Sequence, residues 1–101
     1  MAFVSTNRVQ VIPGHDEAVL TAVQQFFQAR QALRQQGDLL ATRLVRSPDG
    51  SEYLLISVWS SQEAHLRHED SPAEQAALRQ LAPYVTAPPV EFSGEVVAEL
   101  A

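Results

Sequence analysis

An asparagine stands in the middle of the more apolar face of the first predicted strand. In the stretch AFVSTNRVQVIPG, residues 2–14, alternate positions place Asn7 on the same face as Phe3, Val9 and Val11. A carboxamide buried without partners costs roughly 1–3 kcal/mol. Asn7 therefore indicates either a hydrogen bond to a local backbone group or a cavity in which a polar group is needed.

Two histidines form a second candidate group. His65 and His68 are three residues apart in a predicted helix, so they lie on one side of it. Such a pair could bind a metal ion, but only two ligands are visible, with no cysteine or glutamate-rich partner to complete a site. The charged neighbours Arg67 and Glu69 favour solvated side chains for at least one of the pair. We therefore predict no metal site.

The elements that position these residues are predicted in the order β-α-β-β-α-β. Period-two patterns and turn residues predict strands at 2–12, 39–46, 52–59 and 90–99, with a bulge indicated at Gly94. A helical period begins at Asp16 and is expected to stop at Gly37; its apolar face carries both Phe26 and Arg30. Residues 61–82 are predicted to form two short helices, broken near 69–71 and capped by Ser60 and Ser71.

This order predicts a ferredoxin-like α+β fold, a four-stranded antiparallel sheet with both helices on one face, in a single domain over residues 1–101. The strand at 52–59 is apolar on both sides, one bearing Tyr53, Leu55 and Trp59 and the other Leu54, Ile56 and Val58. Helices can cover only one side, so we expect a second subunit to cover the other and form a homodimer. The alternative is a monomer in which long side chains and terminal residues cover that face.

The composition excludes several classes of function. The net charge is −5, and the seven basic residues are all scattered arginines, which is unlike the basic patch of a nucleic-acid or membrane-surface binder. Most of these arginines are expected at solvent positions, and none can be named as catalytic. The absence of cysteine excludes disulfides, thiolate metal sites and a cysteine nucleophile. With no signal-peptide pattern and no apolar run of about 20 residues, we expect a cytoplasmic protein.

Several short motifs occur in a familiar order along nearly the whole chain. They are Asn7-Arg8 and Pro13-Gly14 around the first strand, Val58-Trp59, the spaced residues Ser60, Ala64 and His68, Ser71-Pro72-Ala73, and the closing strand at 90–100. In this order they resemble the antibiotic biosynthesis monooxygenase family. The resemblance implies a dimeric α+β barrel, in which two ferredoxin-like subunits pack sheet to sheet. It also implies a pocket between the helices and the sheet of each subunit.

One branch of that family oxidises aromatic polyketides such as anthrones with molecular oxygen and no cofactor. The resemblance implies that Asn7 and the strand-end Trp59 line the substrate pocket, with Phe26 and His65 as further substrate contacts. Asn7 would donate a hydrogen bond to a developing negative oxygen. His68, or else His65, would take the proton, because an imidazole has a pKa near ~6.5.

A second branch binds and degrades haem. There the resemblance implies that an asparagine at the position of Asn7 reaches toward the haem. The axial histidine of that branch aligns with Leu78 and its pocket tryptophan with His68, so a haem ligand would have to come from His68 or His65. The leading expectation is thus a cofactor-independent monooxygenase acting on a small hydrophobic aromatic compound, quinol-like or anthrone-like. The alternatives are a haem-binding or haem-degrading protein and a non-catalytic small-molecule binder.

Overall fold

The computed structural model describes residues 2–100, which contain one four-stranded antiparallel sheet. The strands are β1 (Phe3–Gln10), β2 (Leu39–Arg46), β3 (Glu52–Trp59) and β4 (Val90–Glu95), in the spatial order β2-β3-β1-β4. The helices are α1 (Asp16–Ala29), α2 (Gln31–Gln36), α3 (Gln62–His68) and α4 (Pro72–Leu81), followed by a 3₁₀ turn at Ala82–Tyr84. The predicted ferredoxin-like order is confirmed.

The first helical segment is not continuous as predicted, because it breaks at Arg30. The backbone N–H of Arg30 is shared between the carbonyl oxygens of Phe26 and Phe27, each at 3.1 Å, and a new helix starts at the next residue. Gly37 ends that second helix as expected, with a φ of 84° that glycine adopts without steric cost. The break leaves Arg30 as the hinge residue between two helix axes, with its side chain buried.

Of the two predicted serine caps, one is confirmed and the other is wrong. Ser71 accepts a hydrogen bond from the backbone N–H of Glu74 at 3.2 Å, as expected for a cap followed by a proline. The predicted cap at Ser60 is wrong: Ser61 is the cap and accepts from the N–H of Ala64 at 3.1 Å. The N–H of Ser60 instead donates to the carbonyl of Asp38 at 2.9 Å, which ties Ser60 to the start of β2.

The last strand is shorter and more regular than predicted. It ends at Glu95, and its pairing with β1 runs without a shift from Arg8 opposite Val90 to Phe3 opposite Glu95. The predicted bulge at Gly94 is therefore wrong. The irregularity lies in β2 instead, where the register with β3 shifts between Leu39 and Ala41.

The helices cover the inner face of the sheet and leave the outer face open. The outer face carries the predicted apolar row of β3 that consists of Leu54, Ile56 and Val58. At the β4 edge of this face, Phe92 is 70% exposed and Val90 is 55% exposed. A dimer across this face stays a prediction. No helix within residues 2–100 combines the length and the apolar character that a membrane span needs.

Candidate functional site

A cavity of about 280 Å³ lies between the inner face of the sheet and helices α1 and α4. Most of its wall is apolar and includes Val19, Val23, Phe26, Leu44, Leu55 and Leu78. The polar side chains on the wall are Asn7, Arg30, Tyr53, Asp70, Glu74 and Glu91. An apolar cavity with a few polar groups is the usual form of a small-molecule site.

The two helices have different parts in forming this cavity. Helix α1 contributes Val19, Val23 and Phe26, whose spacing of four and three residues puts them on one face above the sheet. Helix α4 contributes Ala77, where a methyl group leaves space that a larger side chain would occupy. Helix α4 also contributes Leu78 and Leu81, so both helices supply apolar side chains to the wall.

Asn7 lies on this wall, at the centre of β1. It is half-buried and stands opposite Leu55 of β3 and Glu91 of β4 in the sheet register. Its carboxamide makes no hydrogen bond to any other residue in the range 2–100. Of the two interpretations of Asn7 offered by the sequence pattern, the structure therefore shows the cavity and not a local backbone partner. Its catalytic role stays a prediction.

Arg30 also lies on the cavity wall, a position that the sequence pattern did not predict. The side chain is only 8% exposed, and its Nη1 donates to the Ser57 hydroxyl at 2.8 Å. Its guanidinium carbon lies 4.2 Å from the centroid of the Phe26 ring and 5.1 Å from that of Trp59. Its position beside Phe26 on the apolar face of the helical pattern was the one sequence feature that could have predicted its burial.

The charge of Arg30 has no close counter-ion. No carboxylate oxygen of residues 2–100 lies within 4 Å of its guanidinium nitrogens. Burial lowers the pKa of Arg30 to about 10, and the nearby charge of Glu74 opposes this shift. The group therefore remains a cation at neutral pH, enclosed beside aromatic rings on the wall of a cavity.

Glu74 is the carboxylate that shares the cavity with this cation. It lies in the first turn of α4, where the Ser71 cap holds its backbone N–H, and it is half-buried. Burial raises the pKa of Glu74, while the positive charge of Arg30 works against that rise. A carboxylate with a raised pKa is a stronger base than an exposed one, which suits proton abstraction.

The structure separates Trp59 and the two histidines from this cavity. Trp59 is 1% exposed, and its indole N–H donates to the Ser5 hydroxyl at 3.0 Å. His65 is also buried, with its ring centroid 5.2 Å from that of Phe3 and 5.5 Å from that of Trp59. Neither residue belongs to the cavity wall, so Trp59 is a core side chain in the chain described here.

His68 takes part in a different polar group. Its Nε2 lies 2.9 Å from a carboxylate oxygen of Asp38, whose other oxygen accepts from Arg67 at 2.9 Å. The bond to His68, assisted by Arg67, lowers the pKa of Asp38. The ring of His68 stacks against Trp59 at 5.9 Å between centroids. Of the predicted site residues, the structure brings together Asn7 and Phe26, and it places His65, His68 and Trp59 elsewhere.

The cavity does not fit the ligation of haem iron. Histidine, cysteine, methionine and tyrosine are the usual axial ligands, and no histidine is on the wall, where Leu78 occupies the position expected for one. Tyr53 reaches the wall, but its hydroxyl donates to the carboxylate of Asp16. Within the described part of the chain, no cluster of three or more acidic or histidine side chains forms a metal site.

A family model described as "Antibiotic biosynthesis monooxygenase" matches residues 2–80. The chain belongs to the antibiotic biosynthesis monooxygenase family. No curated protein sequence matches it. The match covers β1 through most of α4, and so includes Asn7, Arg30 and Glu74 but not β4.

Solved structures of the same shape support the fold. A protein of Caulobacter crescentus, provisionally named an antibiotic biosynthesis monooxygenase, has a TM-score of 0.82 at 17% identity, covering 96% of this chain and 91% of that one. Rv0793 of Mycobacterium tuberculosis gives 0.72 at 20% identity over 100% of both chains. A conserved protein of Methanosarcina mazei gives 0.79 at 10% identity over 93% and 91% of the two chains. At these identities the likeness establishes the fold alone.

Proposed function

We propose that this family member is a cofactor-independent monooxygenase that acts with molecular oxygen on a small hydrophobic aromatic compound, quinol-like or anthrone-like. The observation that supports it most is the half-enclosed apolar cavity with the unbonded carboxamide of Asn7 on its wall. The apolar wall suits an aromatic ring, and the carboxamide N–H groups suit an oxygen that gains negative charge. Family membership agrees with this type of reaction.

The proposed reaction needs no external reductant. For an anthrone, the ring CH₂ becomes a carbonyl; one oxygen atom of O₂ enters that carbonyl and the other leaves as water with the two hydrogens. The carbon gives up four electrons and O₂ takes four. The protein has to bind the substrate, remove a proton and stabilise the resulting anion. No histidine lies on the cavity wall, so the carboxylates there are the candidate proton acceptors.

We further propose that the active form is a homodimer joined across the outer face of the sheet. Phe92, Val90 and the outward row of β3 form an apolar surface that the chain's own helices leave uncovered. A second copy with the same surface would bury it in a two-fold interface. The cavity lies on the other side of the sheet, so each subunit would keep its own site.

Oxygen uptake by metal-free protein tests the proposal. With 1,8-dihydroxyanthrone as substrate, we expect uptake above the rate of autoxidation, at one O₂ per quinone formed. Asn7→Ala should lower kcat by about 10²-fold, as for the loss of one oxyanion donor, while Gln10→Ala should not, because Gln10 is exposed on the same strand. Equal rates with and without protein, across anthrone and quinol substrates, would contradict the proposal.

Haem binding is the result that would replace the proposed monooxygenase function with the haem alternative. Titration with haemin should give no saturable Soret shift in the wild-type protein, since the cavity has no axial ligand. A one-to-one shift abolished by His68→Ala would favour the haem alternative instead.

A further inference from the structure

We infer that the cavity binds its ligand as an aromatic oxyanion, with Arg30 as the counter-cation and Glu74 as the acceptor of the hydroxyl proton. The Glu74 step deepens the proposed function, on which it rests, by naming the substrate class as an acidic hydroxy-aromatic compound. The anion site at Arg30 is argued from its own contacts and holds whether or not the protein consumes oxygen.

The first step of the argument is the unused bonding capacity of Arg30. A guanidinium carries five N–H donors, and here one hydrogen bond is made, to the Ser57 hydroxyl at 2.8 Å. The group is 8% exposed and lies on the cavity wall, with no carboxylate of residues 2–100 within 4 Å. A buried charge is expensive unless it is paired. The cavity thus holds a positive charge whose remaining donors lack a partner in the protein.

The second step concerns the charge of the ligand. Three carboxylates, Asp70, Glu74 and Glu91, share the cavity wall with the single arginine. A phosphate or a dicarboxylate could place one negative charge against Arg30, but its second charge would lie closer to these carboxylates and be repelled. A ligand with one delocalised negative charge needs only one cation. The mostly apolar wall, with Phe26 among its residues, suits an aromatic ring that carries that charge.

The third step is the proton transfer. The O–H bond of the ligand breaks and an O–H bond forms on the carboxylate of Glu74, so one negative charge moves from Glu74 to the ligand oxygen beside Arg30. Burial raises the pKa of Glu74, and the positive charge of Arg30 would lower the pKa of a ligand hydroxyl beside it. Both effects bring the two proton affinities closer together. No oxidation or reduction is involved in this step.

The test uses 4-nitrophenol, whose phenolate is yellow and whose neutral form is not. Titrating the wild-type protein across the pH range around the free phenol's pKa should show phenolate bound at least ten-fold more tightly than the phenol. Arg30→Met should remove this preference, and Arg30→Lys should retain part of it. Arg34→Met is the matched control and should change nothing, because Arg34 is exposed on α2 and is not on this wall.

Glu74→Gln separates the two roles. This variant should bind 4-nitrophenolate several-fold more tightly than wild type at pH above the phenol's pKa, because a neighbouring negative charge is gone. It should also lose oxygen uptake with an anthrone.

Three results would overturn the inference: no saturable binding of the phenolate, equal binding of 4-nitroanisole, or unchanged phenolate preference in Arg30→Met. None depends on oxygen chemistry. A protein that binds phenolate through Arg30 but consumes no oxygen would contradict the proposed function and leave the anion site intact.

Discussion

Replacing Arg30 by methionine is expected to leave the free energy of unfolding within about 1 kcal/mol of the wild-type value, even though the side chain is 8% exposed. Burial lowers the pKa of Arg30 to about 10, well below the ordinary value of an arginine side chain. At ~1.4 kcal/mol per pH unit, holding the charged form inside the protein costs about 3 kcal/mol. Methionine removes that cost and fills a similar volume.

The contacts that methionine would lose act in the other direction. The approach of the guanidinium to the rings of Phe26 and Trp59 contributes about 0.5–2 kcal/mol, and its charged hydrogen bond to Ser57 contributes about 1.5–3 kcal/mol. These gains and the burial cost are of similar size. The net change is therefore small, whereas Arg30→Ala would also leave a void and should cost about 2–4 kcal/mol.

Urea unfolding followed by circular dichroism measures this difference, with Arg34→Met as the control on exposed α2. In thermal unfolding of a chain of this size, a change of ~1 kcal/mol in the free energy of unfolding shifts Tm by about 4–8 °C. A loss of 3 kcal/mol or more in Arg30→Met would refute the reasoning. It would show that the contacts of Arg30 outweigh the cost of burying its charge, and that the residue anchors the fold.

Three further predictions follow from other contacts. Ser5→Ala should cost about 1–3 kcal/mol in urea unfolding, because the indole N–H of Trp59 would be buried without an acceptor; an unchanged midpoint would mean that water replaces the hydroxyl. Burial raises the pKa of Glu74, so the folded state holds this proton more tightly than the unfolded state does, and stability is lost as pH rises above the ordinary value of 4.5. The stability of Glu74→Gln relative to wild type should therefore increase as pH rises above 4.5, and a constant difference would contradict the shift. Phe92→Glu should shift the sedimentation coefficient from dimer to monomer, whereas Leu20→Glu on the helical side should not.

The strands and the overall order could be predicted because their signals are local. The period-two patterns at 39–46 and 52–59 match β2 and β3 to the residue, since each is bounded by turn residues that stop the pattern. The cap at Ser61 was missed because the capping-box pattern favours Ser60, which has Glu63 three residues later, whereas Ser61 has Ala64 at that spacing. The choice is made by a long-range bond from the N–H of Ser60 to Asp38, which no local pattern contains.

The site was predicted only in part for a related reason. Asn7 could be predicted because a polar residue on an apolar strand face is recognisable from the sequence alone. Arg30 carried the same signal on a helix face, but an arginine is ordinarily exposed, and its burial depends on how α1, β3 and Phe26 meet in space. The histidines were assigned by type and resemblance. Their distance from the cavity depends on the angle at which α3 leaves β3.

The position of Trp59 gives the protein a built-in optical probe. It is the only tryptophan in the chain. Its indole lies beside the guanidinium of Arg30 and also stacks against the imidazole of His68. Emission from a single indole beside the Arg30 guanidinium should respond when a ligand draws Arg30 away. The intrinsic fluorescence of unlabelled protein can therefore report occupancy of the cavity.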